Sequence, residues 1–181
     1  LSLKRSDFPE RVLILGDGPS YKENKRHWRL FNGDLASIHY YRDDPDIVIT
    51  ADPRKYGDKE SKAIDKCRLV IGMSNWFTSV RKERYIPHKD WDVIEWGWCT
   101  EARWTSGVFA IEWAVKEGYK EIYTVGIDLT TGNGYNRNLE DPQTNQKMKI
   151  FLKELGTQTD IYKLSEDSEL PYEVRDPFNA R

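Results

Sequence analysis

The sequence predicts an α/β fold, a Rossmann-like three-layer sandwich with a mostly parallel sheet. Three observations predict it. Short, continuous, β-branched runs recur along the chain, the mark of strands buried on both faces. Helix-compatible stretches separate these runs, so strands and helices alternate. Glycine and aspartate turns follow several of the runs, at the strand ends where open α/β sheets receive ligands.

The elements follow in order. Arg11 to Leu15 is a short apolar run between Pro9 and Gly16, read as a buried parallel strand. It leads into Gly16-Asp17-Gly18-Pro19-Ser20. The glycines permit a tight turn and close backbone approach, and Pro19 presets a helical φ. Tyr21 to Phe31 is charged and helix-compatible, and Leu35 to Tyr41 is a second strand containing His39, read as a packed histidine. Asp46 to Thr50 is a third strand, ending in Ala51-Asp52-Pro53. Lys59 to Lys66 reads as a short helix and Arg68 to Met73 as a fourth strand. Arg81, Lys82 and Arg84 form a solvated face beside Glu83. Trp91 to Trp96 alternates, as an edge strand does.

Thr105 or Ser106 caps the next helix, which Gly118 closes, and Glu121 to Val125 is a strand delivering Gly126-Ile127-Asp128 to its end. Gln146 to Leu155 is a helix with Met148, Phe151, Leu152 and Leu155 as its apolar stripe, followed by a strand from Asp160 to Leu164. Residues 1–181 are read as a single α/β domain, with 165–181 a polar tail to which no fold is assigned.

Composition narrows the function. Lys and Arg number 28 against 30 Asp and Glu, a formal charge of −2. A broad nucleic-acid surface needs a clear basic excess, so no nucleic-acid partner is expected. Aromatics reach 13%, with seven Trp, which supplies large rings for a core or for stacking on a ligand. Cys67 and Cys99 form no CxxC pair, which fits a reducing compartment. No run approaches the roughly 18 apolar residues of a membrane span, so a cytoplasmic protein is expected. The sequence leaves its oligomeric state open.

Asp17, Asp52, Thr105, Ser106 and Asp128 all fall at or near one edge of the expected sheet. A strand, a glycine turn and a helix start make a phosphate-facing nest, and an acidic strand end beside a helix N-terminus completes a nucleotide-type site.

GDGPS, followed by TSGVFAIEWAVKEGYKEIYTVGIDL, resembles the bacterial sialyltransferases that use CMP-sialic acid. The resemblance implies that Gly16, Gly18 and Ser20 embrace the phosphate and ribose of a nucleotide. It implies that Arg103, Thr105 and Ser106 touch donor sugar and nucleotide, that Gly126 and Asp128 lie beside the cytidine, and that Tyr135 supports the leaving phosphate. The partner implied is a nucleotide or nucleotide sugar. Departures accompany the match: the loop Asn of that family is Asp17 here, an Asn near the sugar carboxylate is Asp52, and a leaving-group Tyr is Thr130. The family's general-base His lies downstream, yet no His follows His88 in this chain. Asp17 or Asp52 is then the candidate base.

The archaeal 6-hydroxymethylpterin pyrophosphokinase-like proteins share a similar skeleton. Under that alternative Asp17, Asp52 and Asp128 hold Mg²⁺ near a triphosphate, and a pterin stacks on Trp76 or Trp104. No other cofactor is implied. A non-enzymatic nucleotide-binding module is the third reading.

Overall fold

The computed structural model describes residues 9–24, 26–38, 43–50, 67, 69–73, 91–94, 105–129 and 142–178. Eight strands among them form one sheet. They are β1 (Arg11–Leu15), β2 (Asp34–Ile38), β3 (Ile47–Thr50), β4 (Leu69–Met73), β5 (Trp91–Ile94), β6 (Glu121–Val125), β7 (Asp160–Lys163) and β8 (Glu173–Val174). Their order is β5-β4-β3-β2-β1-β6-β7-β8, and every neighbouring pair is parallel. The expected α/β class and parallel sheet are what the chain adopts, and β5 lies at an edge.

The helices are α1 (Pro19–Glu23), α2 (Ser106–Lys116) and α3 (Pro142–Leu155). Alternate residues of each central strand feed two separate cores, as parallel sheets covered on both faces require. On one face Val12, Ile14, Ala36 and Ile49 pack with Phe109, Ile111, Trp113, Met148 and Leu152 from α2 and α3. On the other, Leu13, Leu15, Leu35, Tyr123 and Val125 pack with Trp28 and Phe31. Trp28 and Trp113 are thus core rings. Arg11 lies 5.2 Å from the ring centres of both Phe31 and Tyr123 and pairs with Glu121 at 2.8 Å.

Helix α2 is buried at eight consecutive positions, Gly107 to Ala114, so neighbours cover it well beyond its sheet-facing stripe. Thr105 caps it, its side chain accepting from the Val108 amide at 3.2 Å. Gly118, at φ +78°, ends it. The Gly118 amide donates to Val115 O and the Tyr119 amide to Ala114 O, the paired bonds of a Schellman closure.

Three elements differ from the sequence expectation. The stretch 21–31 is not one helix: α1 ends at Glu23, and a 3₁₀ turn spans Trp28–Leu30. Asn24 closes α1, its side chain and its amide both donating to Ser20 O. The chain then turns to bury Trp28, which stacks on Tyr21 at 6.0 Å. Helix α3 begins at Pro142, ahead of the expected Gln146, because a polar first turn hides the helix from an apolar-stripe reading. The polar tail contributes β8 and sends Leu170 into the core. Among the described residues no helix is long and apolar enough to cross a membrane. The expected helix at 59–66, His39, the cationic stretch 81–88 and Cys99 lie outside the described residues.

Candidate functional site

From β1 the chain builds the sheet in one direction through β2 to β5, whereas β6 leads to β7 and β8 in the other. The seam between β1 and β6 is therefore the topological switch point. Connections leave the two strands toward opposite faces there, and the C-terminal ends of strands at such a point are where open α/β sheets receive ligands. Residues 16–20 follow β1 and residues 126–129 follow β6, with Leu15 paired to Val125 at the seam.

The two loops are locked together by backbone and side chain alike. The Gly16 amide donates to Val125 O at 2.7 Å and the Gly18 amide to Gly126 O at 2.9 Å. A Cβ on Gly16 would lie 2.2 Å from Gly126 O, so glycine is required there for loop-to-loop contact. Ser20 is the hinge pin. Its hydroxyl accepts from the Gly126 amide at 2.7 Å and donates to Asp128 Oδ1, while its own amide donates to Asp128 Oδ2 at 2.9 Å.

Asp128 thereby does for α1 what Gly18 cannot. Gly18 is the N-cap and has no side chain to offer, so the carboxylate of a residue 108 positions away accepts the Ser20 N–H instead. A Cβ on Gly18 would sit 2.4 Å from Asp128 Oδ2, so the missing side chain is what admits the carboxylate. Asp128 is 6% exposed, and the charge-assisted bonds satisfy both its oxygens.

The amides of Gly16, Gly18 and Ser20 all donate within the protein. The physical reason is the seam itself, where β6's exit loop presents carbonyls and a carboxylate to the same donors. Asp17 lies between the two glycines, half-buried. Thr105 and Ser106 come to the same region, since a Cβ on the adjacent Gly107 would lie 2.6 Å from Ile127 Cγ2. The hydroxyl of Thr105 caps α2, and Ser106 is half-buried in its first turn.

The structure thus brings together Gly16, Asp17, Gly18, Ser20, Thr105, Ser106, Gly126 and Asp128. Asp52, Arg103, Tyr135, Thr130, Trp76 and Trp104 lie outside the described residues. Among the described residues no cluster of three or more His, Cys, Asp or Glu has the placement to hold a metal ion.

Sequence reasoning missed a second support of the site. Leu129, buried at 4%, has φ +52°, a conformation that side chains other than glycine's adopt at a cost. The segment after β7 holds this loop. Ser168 Oγ donates to Ile127 O at 3.1 Å, and the Glu169 amide donates to Asp128 O at 2.8 Å. Lys163 Nζ in turn donates to Ser168 O at 2.6 Å, and Lys149 of α3 pairs with Glu169 at 2.7 Å. Nothing in a polar tail rich in serine and acids marks these partners in advance.

No family model and no curated protein matches the chain. Solved structures do. The sialyltransferase CstII from Campylobacter jejuni, in complex with the substrate analogue CMP-3FNeuAc, superposes with a TM-score of 0.59 at 21% identity, over 94% of this chain and 87% of that one. CstII with cytidine-5'-monophosphate gives 0.59 at 19% identity over the same shares. CstII with a trisaccharide acceptor and CMP gives 0.56 at 21% identity, over 94% of this chain and 88% of that one. The likeness lies in the fold: this chain has a sialyltransferase-like α/β fold.

Proposed function

We propose that the chain is a nucleotide-sugar-dependent glycosyltransferase-like protein that binds CMP or a related nucleotide in the crevice at the β1/β6 seam. The observation that carries this reading is the Ser20–Gly126–Asp128 lock. It fixes two loops at the switch point of a fold whose solved relatives hold CMP or a CMP-sugar analogue. The lock gives Ser20 and Asp128 a positioning role. Their polar groups are satisfied by one another, so they shape the crevice rather than neutralise the ligand.

Ligand contacts then fall to Asp17 in the first loop and Ser106 at the start of α2, together with Arg103 and Tyr135, which the family resemblance implies and which lie outside the described residues. Transfer would proceed by attack of an acceptor hydroxyl on the anomeric carbon. The new carbon–oxygen bond forms as the bond to the phosphate oxygen breaks, the nucleotide leaves with that electron pair, and a base takes the acceptor proton. Asp17 or Asp52 is the base under this reading, since no His follows His88. That same absence favours the competing reading, a binding module that keeps the nucleotide site without transfer.

Isothermal titration with CMP, CDP and ATP, each with and without Mg²⁺, tests the proposal. Metal-independent CMP binding supports it. ATP binding only with Mg²⁺ would replace it with pyrophosphoryl transfer, and failure of all three to bind would overturn it. Turnover of CMP-sialic acid then separates an enzyme from a binding module.

A further inference from the structure

We infer that Ser168 is a positioning residue for the nucleotide crevice, acting through the Gly126–Leu129 loop from the side opposite Ser20. The inference rests on the proposed nucleotide site and adds a residue to it. The loop carries two left-handed residues within four positions, Gly126 at φ +72° and Leu129 at φ +52°. Such a turn persists only where its surroundings over-determine it.

The surroundings here are two-sided. From one side Ser20 takes up the Gly126 amide and the Asp128 carboxylate. From the other, Ser168 and Glu169 take up the two successive carbonyls of Ile127 and Asp128. Fixing both carbonyls fixes the planes of the peptides on either side of the Asp128 Cα. Those planes set the direction in which the Asp128 side chain leaves the backbone, and hence whether its carboxylate reaches α1.

Ser168 is built for the task rather than caught there. It is 5% exposed, its hydroxyl both donates to Ile127 O and accepts from the Leu170 amide, and its carbonyl accepts from Lys163. Leu170, two residues on, is buried in the same core as Leu129. Segment and loop are therefore clamped by apolar contact as well as by hydrogen bonds.

Ser168→Ala removes the hydroxyl and leaves Ile127 O without its donor. Amide hydrogen exchange on the whole chain reads the result without any ligand. Exchange at Ser20 and Gly126 should accelerate about five- to tenfold, the size of one hydrogen bond. The CMP dissociation constant, measured well below the unfolding transition, should rise by about the same factor. Ser168→Thr keeps the hydroxyl and should stay near wild type. A lowered melting temperature with unchanged exchange at Ser20 and Gly126 would overturn the inference, as would an equal loss in Ser168→Thr.

If Ser168→Ala does not fold, Lys163→Met withdraws the donor to Ser168 O and should shift the same two amides in the same direction; no shift there refutes the role. Should the wild-type protein bind no nucleotide, the proposed function fails. The exchange data still decide whether Ser168 sets the loop.

Discussion

The hydroxyl of Ser20 donates and accepts within the protein, so removing it strands two partners at once. Ser20→Ala leaves the Gly126 amide and one Asp128 oxygen unsatisfied in a buried site, and should cost about 2 kcal/mol or more in urea unfolding. Asp128→Asn keeps one acceptor for two donors and should weaken CMP binding; unchanged affinity would show that the crevice lies elsewhere. Leu129 presents two opposed magnitudes. Its left-handed backbone costs about 1–2 kcal/mol, and its burial contributes about 1.5–3 kcal/mol. Leu129→Gly relieves the first and forfeits the second, so a net loss of about 1 kcal/mol is expected by denaturation. Glu112 sits on α2 with its side chain 6% exposed, one oxygen on Lys116 at 2.9 Å and Oε2 without a partner among the described residues. Burial pushes its pKa up, and the hydrogen bond and charge of Lys116 offset this only in part. The native state thus holds the proton more tightly than the unfolded chain, so this group's contribution to stability falls as pH rises from the ordinary carboxyl range through the raised native value. Glu112→Gln should flatten that fall, read from melting temperatures across acidic to neutral pH.

At the scale of elements, glycine is the loop's structural requirement. Gly18→Ala would drive a Cβ toward both Asp128 Oδ2 at 2.4 Å and Gly126 O at 2.8 Å, and these cannot retreat without opening the seam. Loss of CMP binding together with a lower melting temperature is the expected result. Strands β1, β2, β3 and β6 were legible in the sequence because each is a short apolar run whose burial on both faces leaves little else it can be. Glu121–Val125 matches residue for residue, and α2 carried its cap and its closing glycine in plain view. Elements with polar sequence were not legible. The start of α3 lacks an apolar stripe, and the break after α1 depends on Trp28 finding Tyr21 and the sheet, a tertiary event. The site was half legible: the two loops announced themselves by glycine and aspartate, but their mutual lock and the Ser168 support depend on pairings with no local signature.

At the scale of the molecule, the segment beyond β7 is part of the fold. Leu170 enters one core, Phe178 packs against the other, and β8 extends the sheet. Deleting residues 165–181 should therefore lower stability by about 3 kcal/mol or more, from the apolar burial alone, and should shift the urea midpoint accordingly. The seam joins β1 to β6, more than a hundred residues later, since Arg11 pairs with Glu121 across 110 positions. During synthesis β1 must wait, one side of its backbone without its final neighbour, until the ribosome has released β6. A ribosome-bound chain arrested before Glu121 should be protease-sensitive and should recruit chaperones, whereas one released past Leu170 should resist digestion. The β1/β6 seam thus exists only once both of its strands have been made, so a ligand bound across it would act on a chain already committed to this pairing, as a seal on the fold and not as its template.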